Sequence, residues 1–225
     1  MFWRWQSEYK GNVRDGLPYW FKGTKPRAKI PQSYESDEAT RLRVREKLAT
    51  VRRRGYIRPG FVKSLIRYFA VPKGDDDVRM VYDGTSSGFN RWVWAPSFGL
   101  PTVETMLRSV EHRTWLGDID VGEQFLNFPL DVRAQLYCGV DLTPYFTEEL
   151  NKDKGQKNVW ERWTRCLMGV KPSPYQAIRL ILWSEDIVRG NKSHPNNPFR
   201  WSYVRLNLPG SEDYHPSLPW VSKLR

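Results

Sequence analysis

Asp118 and Asp120 stand two residues apart in the stretch GDIDVGEQFLNF. On a strand, side chains two apart leave from the same face, so the two carboxylates would lie side by side. Held together they repel each other and lose hydration, a cost that a divalent cation relieves. Magnesium takes a few such oxygens together with waters and substrate phosphates. The same spacing suits a solvent-facing strand end with two unrelated aspartates, and the pattern alone leaves both readings open.

The elements that would position these groups follow from patterning. SDEATRLRVREKLATVRRRG predicts a helix with Ser36 as N-cap, acidic residues in its first turn, Arg52–Arg54 in its last and Gly55 as its stop. Leu42, Leu48 and Val51 are its expected packing residues, and arginine occupies most other faces. LIRYFAVP and VRMVYDG, separated by KGDDD, predict a hairpin of Leu65–Pro72 and Val78–Asp83. A helix is expected in PTVETMLRSVEHR and strands at Trp115–Val121, Ala134–Val140 and in VWERWTRCLMG. Ser173-Pro174 opens a helix that stops at Gly190, and Trp201–Leu206 is a last short strand. This order indicates an α+β fold. Composition marks an irregular basic and aromatic arm (1–35) and a Pro-rich tail (191–225).

Residues 1–70 carry 17 Lys and Arg against 6 Asp and Glu, and residues 71–225 carry 19 of each. The whole net charge of +11 therefore belongs to the N-terminal third, which points to a polyanion partner or to a solvated basic face. Cys138 and Cys166 lack partners at metal-ligand spacing and read as reduced core thiols, and three scattered histidines argue against zinc. No apolar run reaches bilayer length, and MFWRWQSEYK does not read as a signal peptide. An intracellular, soluble protein, cytoplasmic or nuclear and not secreted, is expected.

DVGEQFLNFPLD, Asp120 to Asp131, resembles motif A of the reverse transcriptases. The resemblance implies that Asp120 is the catalytic metal-binding aspartate, with the Val121 backbone carbonyl beside it, and that Phe125 is the aromatic gate. A flat ring beneath the sugar leaves no room for a 2′-hydroxyl, so deoxynucleotides are selected. Upstream, GYIRPG, Lys73, Arg79, Asp83 and Asn90 are similar to the fingers of that family in the same order. Lys73 and Arg79 match the residues that hold the incoming triphosphate, a role suited to a lysine point charge and an arginine fork. GLPTVETML resembles the helix that precedes motif A. LMGVKPSPYQA is similar to motif B, where Gly169 lets the backbone approach nucleotide or template–primer closely. Met168 departs from the Pro-Gln common before that glycine, and Gln176 is a weaker match.

The implied fold is the fingers and incomplete palm of a right-hand polymerase, fingers-like over 36–100 and partial palm over 101–190. The implied activity is RNA-directed DNA synthesis by nucleotidyl transfer from a dNTP to a primer 3′-end. The implied partners are an RNA template, a DNA primer and dNTP, with Mg2+ or Mn2+ as cofactor and no membrane. The family also needs an aromatic-x-Asp-Asp pair after motif B, and residues 191–225 offer only Glu212-Asp213. The chain is therefore expected to be a fragment or decayed copy of a retroelement reverse transcriptase, inactive alone. The alternative is a non-catalytic nucleic-acid-binding remnant using the basic N-terminal third, the basic arm together with the helix arginines Arg41, Arg45, Arg52, Arg53 and Arg54.

Overall fold

The computed structural model describes residues 5–100, 102–107, 120–150, 155, 157–200, 204–206, 210, 214, 216 and 221–224. Helices and short, antiparallel strands alternate along it, an α+β architecture as expected. Contacts divide it into two compact units, Met1–Ser97 with Val121–Arg179 and Phe98–Asp120 with Leu180–Arg225. No described helix is long and apolar enough to cross a membrane.

In the first unit the N-terminal arm, expected to be irregular, contains helix α1 (Ser7–Asp15) and strand β1 (Trp20–Phe21). Between them Leu17 is fully buried, donating from its amide to Pro129 at 2.8 Å and accepting from Asp131 at 3.0 Å. Gly16 permits this approach at φ +92°, because a Cβ there would stand 2.4 Å from the Leu130 carbonyl carbon. Farther along, the Gln32 side chain substitutes for a neighbouring strand, donating to the Tyr68 carbonyl at 2.8 Å and accepting from its amide at 3.2 Å. The arm has no periodicity because distant partners order it.

Helix α2 (Glu38–Arg53) is capped by Asp37 and not by Ser36: the Asp37 carboxylate accepts from the Thr40 amide at 2.7 Å. Val44 and Leu48, four apart on one face, are its buried residues, whereas Leu42 is exposed. Gly55 ends the turn at φ +70°.

The hairpin forms as predicted, β3 (Arg67–Lys73) against β4 (Asp77–Asp83). After it, α3 (Phe89–Trp92) leads into β5 (Val93–Trp94), which pairs with β1 and sets Trp94 edge-on to Trp20 at 5.7 Å. A three-stranded sheet has β7 (Trp160–Trp163) at its centre, flanked by β2 (Ile57–Pro59) and β6 (Gly139–Asp141). Along β7 Glu161 and Trp163 are buried, whereas Trp160 and Arg162 are half-buried, the alternation its sequence displays.

The strand expected over Ala134–Val140 is instead a short helix, α5 (Val132–Gln135), followed by β6. Asp131 decides this locally, since its carboxylate accepts from the Arg133 amide at 2.7 Å and caps the turn. Helix α6 (Thr147–Leu150) follows, and most of the polar turn expected at 151–158 lies outside the described residues.

Helix α7 (Ser173–Arg189) begins and ends where Ser173-Pro174 and Gly190 predict. Its start locks the arm: the Ser173 and Tyr19 hydroxyls are 2.9 Å apart, and fully buried Gln176 donates to the Pro18 carbonyl at 3.0 Å. Both cysteines are buried free thiols, and burial pushes Cys166 up to about 12 and Cys138 well above its ordinary value.

In the second unit α4 (Val103–Leu107) forms the first part of the helix expected after Pro101; the rest lies outside the described residues. Strand β8 (Val204–Leu206) pairs antiparallel with β9 (Val221–Leu224), a strand the tail's composition did not suggest. Residues 115–119 of the expected strand, Asp118 among them, also lie outside the described residues.

Candidate nucleotide and nucleic-acid site

The register of the hairpin decides where its charges point. Val71 pairs with Arg79 and Lys73 with Asp77, so Lys73, Asp77 and Arg79 share one face with half-exposed Phe69. The opposite face carries Tyr68 and Val78, both buried. Lys73 and Arg79 are thus brought together on the open side. A carboxylate stands between them: Asp77 lies 3.7 Å from Lys73 Nζ and 2.7 Å from Lys47 Nζ. The Lys47 contact, and then the Val78 amide, hold the Asp77 carboxyl below its ordinary range.

At the end of β4 the Asp83 carboxylate accepts from the amides of Thr85 and Ser86 at 2.9 and 2.8 Å. The Ser86 amide contributes most to holding Asp83 below the usual carboxylate range. The turn so formed carries Asn90, whose amide nitrogen Nδ2 donates to the Gly169 carbonyl at 3.0 Å. Asn90 Oδ1 accepts from the Lys171 amide at 2.8 Å. Gly169 sits at φ +85°, and a Cβ on it would fall 1.9 Å from the Tyr82 carbonyl oxygen. Gly169, 79 residues downstream, therefore meets the turn carrying Asp83 and Asn90 at one junction beside β4.

Asp120 and Val121 are exposed and irregular in backbone. Phe125 is half-buried in a 3-10 turn, Gln124–Asn127. No hydrogen bond or ring contact among the described residues links it to the hairpin. Glu123, just before that turn, adopts φ +51° and accepts from Arg54 at 2.7 Å. Asp120 and the Val121 carbonyl are one carboxylate and one neutral oxygen. Among the described residues no three His, Cys, Asp or Glu side chains are grouped to hold an ion. The described residues therefore do not make up a magnesium site by themselves.

The five arginines expected to meet nucleic acid have partners inside the chain. Arg41 lies 3.9 Å from Glu38 and over the Tyr34 ring, and Arg45 pairs with Glu148. Arg52 donates to both Glu149 oxygens at 2.6 and 3.1 Å and lies 2.7 Å from Glu161. Arg53 reaches Thr50 at 3.4 Å, and Arg54 holds Glu123. Glu161 is almost fully buried, and one of its oxygens has no partner. Burial raises its pKa despite Arg52, whereas the Glu149 contact is the largest influence raising Arg52. Glu148, Glu149 and Glu161 lie about a hundred residues downstream and Glu123 lies 69, so no local signal announced them, whereas Glu38 is three residues from Arg41.

A second basic group is made of Lys25, Arg27 and Lys29 of the basic arm together with Lys63, residues that the sequence places in the basic N-terminal third without singling them out. The alternation in KPRAK was the signal available for it. No protein-family model and no curated protein matches this sequence.

Proposed function

We propose that residues 1–225 are the fingers and part of the palm of a retroelement reverse transcriptase, a unit that binds dNTP triphosphate and template–primer. The observation that supports this most is the meeting of Asp83, Asn90 and Gly169 beside the hairpin that carries Lys73 and Arg79. Four of those five residues lie on the hairpin and the turn that follows it, and the fifth, Gly169, comes from a stretch 79 residues downstream, joined to them through Asn90. All five were selected for their resemblance to one family. In this reading the hairpin supplies cations to the triphosphate, Gly169 lets its stretch pack against the Tyr82 carbonyl of β4, and Phe125 screens the sugar.

The chain carries no aromatic-x-Asp-Asp after motif B, so it binds substrates without joining them. The test is primer extension on an RNA template with Mg2+ or Mn2+, together with titration of a fluorescent dNTP analogue. Expected are no extension and a measurable affinity weakened several-fold by Lys73→Ala or Arg79→Ala. Extension that Asp120→Asn abolishes would overturn the inactivity. Nucleotide binding indifferent to both hairpin variants would overturn the assignment itself.

The excess positive charge of the N-terminal third supports the second reading, a nucleic-acid-binding module without polymerase descent. It predicts salt-sensitive RNA binding that Asp120→Ala leaves unchanged, with no affinity for dNTP.

A further inference from the structure

Most of the basic helix α2 is neutralised from within, which raises the question of where free positive charge remains. Among the described residues, one place where it is concentrated is a groove of about 410 Å³ lined by Lys25, Arg27, Lys29, Phe61, Lys63 and Tyr137. Two segments build it. In 25–29 exposure alternates, with Lys25, Arg27 and Lys29 outward, Pro26 buried and Ala28 half-buried. In 61–64 Phe61 and Lys63 are outward while Val62 and Ser64 are buried.

The segments are joined by the Leu65 amide donating to the Ala28 carbonyl at 2.7 Å, and the Lys63 amide donates to Leu136 at 2.7 Å. The cations therefore stand on backbone held by hydrogen bonds and a buried core. Tyr137 forms the floor, with the ammonium groups of Lys25 and Lys63 at 5.9 and 5.5 Å from its ring centre. Lys29 lies 5.2 Å from the Trp160 ring. Phe61, 67% exposed, stands at the rim.

None of the four cations meets a carboxylate among the described residues, unlike Arg43 and Lys47 of α2, which reach Asp76 and Asp77. Four unneutralised cations in one groove attract a polyanion. An exposed aromatic ring beside them adds a stacking surface, which an unpaired base can use and an acidic peptide or a closed duplex cannot. We infer that this groove is a binding track for single-stranded nucleic acid, with Lys25, Arg27, Lys29 and Lys63 on phosphates and Phe61 against a base. The track stands on its own charge and shape and does not require the polymerase reading.

The test compares two double variants of the full chain with the same loss of charge, Lys25→Gln/Arg27→Gln in the groove and Arg43→Gln/Lys47→Gln on α2. The readout is fluorescence anisotropy of a labelled 20-nucleotide single-stranded RNA across a salt series. Circular dichroism checks that each variant folds. The groove variant is expected to bind at least about tenfold more weakly, with a log–log salt slope shallower by about 1.4. The α2 variant should stay within about twofold of the parent, and Phe61→Ala should weaken binding by about tenfold.

Equal losses in the two double variants would reduce the effect to net charge and overturn the track. A blunt duplex bound more tightly than the single strand, or polyglutamate displacing the RNA as well as unlabelled RNA does, would overturn the ligand class. Intact dNTP-analogue binding in the groove variant separates any failure here from a failure of the polymerase reading.

Discussion

Asn90 holds Gly169 and its neighbour from one side chain, donating to the Gly169 carbonyl at 3.0 Å and accepting from the Lys171 amide at 2.8 Å. A single amide thus ties the turn after β4 to the start of α7, two stretches 79 and 81 residues apart across these bonds. The amide offers a donor and an acceptor at once, which an ionised carboxylate of the same shape cannot.

Asn90→Ala should therefore cost about 1–3 kcal/mol in urea unfolding, the worth of these two hydrogen bonds and of a third that Asn90 Nδ2 donates to the Thr85 hydroxyl at 3.0 Å. Asn90→Asp keeps the acceptor for Lys171 but sets a carboxylate against the Gly169 carbonyl. It should be less stable than the parent at neutral pH and recover part of the loss in acid, where the carboxyl can donate. Equal stability of parent and Asn90→Asp at pH 7 would show that the Gly169 bond contributes nothing.

Gly169→Ala and Gly74→Ala make a matched pair. Both glycines have positive φ, but a Cβ at Gly74 meets nothing within 4 Å, whereas at Gly169 it meets the Tyr82 carbonyl oxygen at 1.9 Å. Gly74→Ala should cost about 1 kcal/mol for left-handed backbone alone. Gly169→Ala should cost about 3 kcal/mol or more, since backbone must move. Thermal melts of the two variants check the difference, and equal losses would contradict the close approach.

Arg52→Gln leaves Glu161 buried with less compensation and should destabilise the chain by about 3 kcal/mol at neutral pH. The folded-state pKa of Glu161 is already raised by burial, so its contribution is favourable below the unfolded value and is lost as pH rises through the folded one. Losing Arg52 raises it further. The deficit of the variant should accordingly shrink as pH falls from 7 toward 4.5, measured as the difference in unfolding midpoint. A deficit independent of pH would place the effect in packing against Phe146, over whose ring Arg52 lies at 4.8 Å.

On the open face of the hairpin Asp77 stands among the cations assigned to the triphosphate. Asp77→Asn removes one negative charge from that face while keeping its shape. A few-fold tighter binding of a fluorescent dNTP analogue is expected, with the gain largest at low salt. Weaker binding would mean that Asp77 organises Lys73 and does not compete with the ligand.

Much of the fold was legible because it is local. The hairpin turn KGDDD, the start of α7 at Ser173-Pro174 and the stops at Gly55 and Gly190 depend on residues within a few positions of each other. Where the reading failed, either a local side-chain cap that periodicity does not rank or a partner distant in the chain decided. Asp37 displaced Ser36 as cap, and Asp131 turned part of an apparent strand into helix. The arm became core through Leu17 and Tyr19, which have partners more than a hundred residues away.

From the sequence alone came the charge asymmetry, the α+β order and the residues whose types suit nucleotide chemistry, because composition, periodicity and turn chemistry are properties of short windows. Tertiary structure alone decided which charges are free. The arginines of α2 and the lysines of the groove look equally basic in the chain. Carboxylates from distant segments pair with Arg45, Arg52 and Arg54, and none among the described residues reaches Lys25, Arg27, Lys29 or Lys63. Coulomb attraction falls with distance through space and takes no account of separation along the chain, so only the folded arrangement could sort them.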